Sequence, residues 1–184
     1  MVRNGGRALV LVAAMAAVAS SSTVERMDPD QLTSRANVIF HGKCVEKKAR
    51  ERSDGAVVTD YQFDVYEFLK GAKGKTFSFT AYGGIIGDRG SAIAGAPQFQ
   101  VDEEVLLFLD TINKAGCRQT IGLAQGKYSI RLVDGKKTAF RDLEGLKLLD
   151  PETKKVAEPK AEQGVPFDEL TDRVKTRLKV GRQG

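Results

Sequence analysis

Few side chains in this sequence can do covalent or acid–base chemistry: one histidine, His41, and two cysteines, Cys44 and Cys117. A single imidazole cannot build a multi-histidine zinc site, and a catalytic triad built on it would have no spare. His41 and Cys44 stand three apart in a run that reads as a strand, so they aim at opposite faces. A nucleophile at Cys117 would need His41 carried to it by the fold. In an oxidising compartment the alternatives are one Cys44–Cys117 bridge or two separate buried thiols. The bridge would close a long loop and contribute roughly 3 to 4.5 kcal/mol in the chain-entropy model. The expected chain is therefore not an enzyme, with no cofactor and no metal.

The remaining candidates bind rather than react. Gly84, Gly87 and Gly90 echo a phosphate-cradling spacing, but such loops lead into a helix that holds the anion, and residues 91–97 carry no helical pattern. A loop across the mouth of a rigid scaffold is the better reading, and Ile85, Ile86 and Ile93 would be costly to expose there without a partner. The expected binding residues are Tyr82, Gly83, Gly84, Ile85, Ile86, Arg89, Ile93 and Phe99. Asp102, Glu103 and Glu104 lack the every-second-residue rhythm of a calcium loop and read as solubilising gatekeepers. Tyr61, Phe63, Phe77 and Phe79 could stack bases, but their same-face spacing suits a core. Lys47, Lys48, Arg50 and Arg52 alternate with acids and read as a solvated hairpin tip.

The elements that must position these residues are mostly short strands. Val105 to Leu109 is an unbroken apolar run that reads as a central strand buried on both faces. Val57, Thr59, Tyr61, Phe63 and Val65 alternate with polar residues as a half-buried antiparallel strand, and Phe77, Phe79 and Ala81 repeat the pattern. A strand is expected over 37–47, with Gly42 at a bulge or close approach; a charged turn over 47–55 should follow. Asp54-Gly55 and Asp134-Gly135 signal reversals. Asp28 with Pro29 starts a short helix ending near Ala36. Residues 82–95 read as a glycine-rich loop, and Leu170, Val174 and Leu178 give a stripe on a helix over 167–179.

Composition adds the compartment. Arg3 and Arg7, an apolar run over 8–18, and small residues at Ala17 and Ala19 predict a signal peptide at 1–19, too short to anchor the chain stably in a membrane. The 184 residues carry a net +5, of which Arg3 and Arg7 leave with the signal. The modest excess left, in an exported chain, does not point to nucleic acid. The domains expected are a barrel over 20–148 that opens with a polar leader at 20–26, a linker with little structure over 149–166, and an amphipathic helix over 167–180. The fold class is mainly β: a small closed antiparallel barrel with a short N-terminal and a C-terminal helix.

Arg35-Ala36-Asn37-Val38, Gly42-Lys43-Cys44-Val45, the strand ending Glu67-Phe68-Leu69-Lys70-Gly71, Tyr82-Gly83-Gly84, Gly95-Ala96-Pro97-Gln98-Phe99, Glu103 to Leu109 and Gly122 to Lys127 form a pattern over about 35–145. It resembles a group of exported bacterial proteins of unassigned function, whose members look like OB-type barrels similar to the inhibitory domain of tissue inhibitors of metalloproteinases. The resemblance implies that fold and, with it, a binding role. Those inhibitors chelate zinc through an N-terminal cysteine, and none occurs here before Cys44. The expectation is a periplasmic or secreted domain that binds a protein, an exported protease being one such partner. The alternative is a module for oligosaccharide or another polyanion.

Overall fold

The computed structural model describes residues 21–159 and 163–181. The strands in chain order are β1 (Ser22–Glu25), β2 (Val38–Glu51), β3 (Val57–Lys70), β4 (Thr76–Tyr82), β5 (Gly84–Ile86), β6 (Arg89–Ser91), β7 (Glu104–Leu109), β8 (Lys127–Val133), β9 (Lys136–Phe140), β10 (Leu146–Leu149), β11 (Val156–Ala157) and β12 (Val165–Pro166). Helix α1 (Pro29–Arg35) precedes β2, a 3-10 turn (Leu123–Gly126) precedes β8, and α2 (Phe167–Val180) follows β12. The chain is mainly β with both expected helices. The predicted signal peptide lies outside the described residues.

Seven strands form one antiparallel sheet in the order β12-β9-β8-β7-β2-β3-β4, so β7 is its middle strand. Val105 to Leu109 are each 0 % exposed, and the pleat sends them alternately to two different cores. Leu106 and Phe108 join Leu32, Ile39, Tyr128 and Val174 under the helices. Val105, Leu107 and Leu109 join Phe40, Tyr61, Phe63, Phe79 and Phe99 on the other face. Full burial of each such side chain is worth roughly 1.5 to 3 kcal/mol. Gly42 in β2 is a close approach as expected: the register slips between His41 and Gly42, and a Cβ at 42 would strike the Asp64 carbonyl.

The helices roof only one of these cores. α1 is too short to be stable alone, but its first turn is closed by a capping box: the Gln31 N–H donates to Asp28 Oδ1 and the Asp28 N–H to Gln31 Oε1. Its Leu32 is fully buried, and α2 packs Leu170 and Val174 into the same core. The Arg173 fork on α2 donates to both oxygens of Asp30, at 2.9 Å each. The C-terminal helix therefore docks.

Several expectations are corrected. The sheet does not close into a barrel: among the described residues β4 has β3 as its one strand neighbour. Between β4 and β7 runs the connection over 110–122, which meets β7 through an Ile121 N–H to Phe108 carbonyl bond and a Leu109–Thr120 bridge. Among the described residues its one backbone bond to β4 is from the Arg118 N–H to the Thr80 carbonyl, 2.8 Å. Its Asn113 side chain accepts from the Ala115 and Cys117 N–H groups, curling the segment into a turn where a pairing strand would be needed.

The polar leader over 20–26 contains β1, paired in parallel with β10, and Gln125 ties it down: the Met27 N–H donates to its Oε1 and its Nε2 donates to the Glu25 carbonyl. The charged turn over 47–55 is largely strand, because β2 continues to Glu51 against Val57 before reversing at Gly55. The linker over 149–166 is structured at both ends, by β10 and β11 pairing and by β12 on β9.

Candidate binding face

The hairpin β5–β6 leaves the end of β4 through two glycines whose conformations exclude other residues. Gly83 has φ 93° and Gly84 φ 142°, and a Cβ at Gly84 would overlap the Thr59 hydroxyl. That hydroxyl donates to the Gly83 carbonyl at 2.7 Å, and the Gly83 N–H donates to the Val57 carbonyl at 2.9 Å. The loop expected over 82–95 is thus a short paired ribbon with a fixed root. Gly87 and Asp88 turn it, and Ile85 at its edge is 75 % exposed.

Two further segments meet it. Arg89 reaches Glu51 at 3.0 Å, and Asn113 Nδ2 lies 3.4 Å from the Tyr82 hydroxyl. Arg52, just past β2, donates to the Ala115 carbonyl at 2.6 Å. Ribbon, β2–β3 tip and the 110–118 turn therefore form one end of the molecule, where Ile85, Ile93 and Ile112 are exposed.

The predicted binding residues separate into two groups. Tyr82, Ile85, Arg89 and Ile93 reach this surface, with Gly83 and Gly84 at its root and Ile86 half-buried. Phe99 does not reach it. It is 1 % exposed and stands edge-on to Tyr61, Phe63 and Phe79 at ring distances of 4.8, 5.6 and 5.8 Å. Phe99 is a core residue that a coil delivers to the aromatic side. Between Phe99, Ile93, Pro97, Tyr82 and Arg118 lies an apolar slot of about 20 Å³, room for roughly one water. A wider groove, about 560 Å³, lies elsewhere and carries Arg131, Glu144 and Glu158.

The groups able to do chemistry are kept apart. Cys44 sits in the aromatic core and donates to the Glu46 carbonyl, whereas the Cys117 thiol lies 3.5 Å from Arg52 Nη1. Both cysteines are free and buried, which is the second of the two alternatives, and the Cys44–Cys117 bridge is absent. Cys44 and Arg52 are separated by roughly 26 Å of extended chain, far beyond the roughly 7 Å between Cα atoms that a disulfide spans. Burial pushes the Cys44 thiol up, away from thiolate.

His41 is 8 % exposed on the helix side, against the rings of Phe167 and Tyr66. Burial pushes its pKa down despite Glu104, whose Oε1 lies 2.6 Å from Nε2. A neutral His41 donating to Glu104 follows. Burial pushes Glu104 up, but hydrogen bonds from Lys137 and His41 outweigh it and leave the carboxyl below its ordinary range. His41 and Cys117 do not meet. Among the described residues no three His, Cys, Asp or Glu side chains converge on a metal position.

The acidic trio is paired: Asp102 with Lys43, Glu103 with Lys127, and Glu104 with His41 and Lys137. Arg118 and Asn113, which complete the end of the molecule, escape sequence reading because nothing in their neighbours marks them. Comparison with family models, curated proteins and solved structures yields no match for this chain.

Proposed function

We propose that this chain is an exported, non-enzymatic binding domain with an OB-like, incompletely closed fold, and that its β5–β6 ribbon contacts a protein partner. The observation that carries the reading is Ile85: a branched apolar side chain 75 % exposed on a ribbon whose root is fixed by glycines and backbone bonds. A fixed root lowers the ordering cost of binding, and covering Ile85 returns apolar area to a dry contact. The resemblance to metalloproteinase inhibitors favours an exported protease as the partner class, without cysteine chelation.

The test is capture from periplasm or culture medium by the tagged protein and by Ile85→Asp. Loss of a partner band with Ile85→Asp at unchanged melting temperature supports the ribbon as the contact; equal capture overturns it. The oligosaccharide or polyanion alternative draws on the groove beside Arg131, where the guanidinium lies 5.6 Å over the Phe140 ring. Asp142, Glu144 and Glu158 in the same groove oppose an anionic ligand. Salt-sensitive retention on an anionic matrix would favour it.

A further inference from the structure

Strand β4 is an edge without the usual protection. Its sequence, Thr-Phe-Ser-Phe-Thr-Ala-Tyr, holds no charge and no proline, the devices that normally keep edges from pairing. Antiparallel strands point alternate residues' backbone groups to opposite sides. The Lys75 carbonyl and the Gly83 N–H bond to β3, so the outward set falls on Thr76, Ser78 and Thr80, and the Thr80 carbonyl does accept from outside, from Arg118. No described residue bonds the outward N–H and C=O groups of Thr76 and Ser78.

Arg118 occupies the first position that a next strand would hold, and its side chain passes under the edge. The guanidinium lies 5.5 Å from the centre of the Phe77 ring with Asp110 as its nearby charge, and its Nε and Nη1 are buried with no hydrogen-bond partner among the described residues. Burying guanidinium donors unpaired is costly, whereas a carboxylate beside them forms charge-assisted bonds. A strand laid along Thr76 and Ser78 would send alternate side chains to the side on which Phe77 and Arg118 stand.

We propose that the β4 edge is a strand-addition site for an extended segment of a partner, and that Arg118 selects a segment carrying an aspartate or glutamate. Main-chain bonds to Thr76 and Ser78 give such a site its register, and the carboxylate its selectivity. The site does not depend on the β5–β6 ribbon and would stand if that ribbon touched nothing.

The test uses the whole chain, labelled with 15N, and two capped seven-residue peptides of alternating valine and threonine, one with a central glutamate and one with glutamine there. The glutamate peptide should bind at least about ten-fold more tightly, with slowed amide exchange at Thr76 and Ser78. Ser78→Pro, which removes an outward N–H without touching the β3 bonds, should abolish binding of both. Arg118→Gln should bring the glutamate peptide to the affinity of the other. Equal affinities for the two peptides, unaltered binding by Ser78→Pro, or no binding at about 1 mM would overturn the proposal. So would protection of Thr76 and Ser78 that rises with protein concentration and no peptide, which would assign the edge to a second copy.

Discussion

The two faces of β7 are built from one strand and closed by opposite means. On one, Leu106 and Phe108 meet mainly aliphatic side chains and are roofed by α1 and α2, joined through Arg173 and Asp30. On the other, Val105, Leu107 and Leu109 meet a nest of aromatic rings covered by a coil carrying Phe99 and by a seam crossed through a single backbone bond at Thr80. Regular elements close the first, α1 with its first turn capped by Asp28 and Gln31. Loops close the second, leaving an unpaired edge, a guanidinium with two buried nitrogens lacking a hydrogen bond among the described residues, and an exposed ribbon. Both features proposed to bind a partner, the ribbon and the β4 edge, lie on the loop-closed side.

The largest effect should come from a residue in a coil. Phe99→Ala is expected to cost about 3 to 5 kcal/mol in urea unfolding, the range for a buried ring, because Phe99 is packed as a core residue. A cost below about 1 kcal/mol would show that the coil only rests on the aromatic side and would erase the difference between the faces.

The helix-closed side should show its own signature in pH. His41 is held below its unfolded value by burial, so its contribution is present above about pH 6.5 and is lost as pH falls toward its lowered pKa. Stability should then drop on acidification by up to about 1.4 kcal/mol per pH unit for this one proton, and His41→Gln should remove that slope. A slope unchanged in His41→Gln would place the titration elsewhere.

Arg173→Ala should cost less than about 1 kcal/mol, since both partners of the Asp30 pair are near half exposed and solvent screens them. The Arg173 hydrogen bond holds Asp30 low, so this increment should begin to decline as pH falls below about 3.8 and be lost as pH falls through the lowered pKa. A loss of several kcal/mol by thermal unfolding would mean that the ion pair, and not Leu170 and Val174, docks α2. Ile85→Asp should change stability least, within about 0.5 kcal/mol, and any larger change would mark the ribbon as part of the fold.

The sequence showed β7 and its two-sided burial, because an apolar run of that length has one stable setting in a sheet. The helix start at Asp28 and Pro29, the alternation from Val57 and the stripe on α2 were legible for the same reason: each is a local pattern. Barrel closure was not legible, since it turns on whether the 110–122 connection pairs with β4 along its length or at one residue. The choice between a Cys44–Cys117 bridge and two buried thiols was not legible either, because spacing along the chain says nothing of two thiols at separate sites. At the candidate site Ile85 was readable as an unneeded exposed branch, but Phe99 was not, since a phenylalanine after Gly-Ala-Pro looks the same whether it covers a core or faces a partner. Arg118 needed the seam to acquire meaning.

The most direct test of the division between the faces pairs Ile85, 75 % exposed on the loop-closed side, with Leu132, 72 % exposed at the tip of β8–β9. Partner capture should be compared for Ile85→Asp and Leu132→Asp at matched stability. The expected result is loss of capture with Ile85→Asp and wild-type capture with Leu132→Asp. Equal capture by the two variants, or loss with Leu132→Asp alone, would contradict the assignment of binding to the loop-closed side.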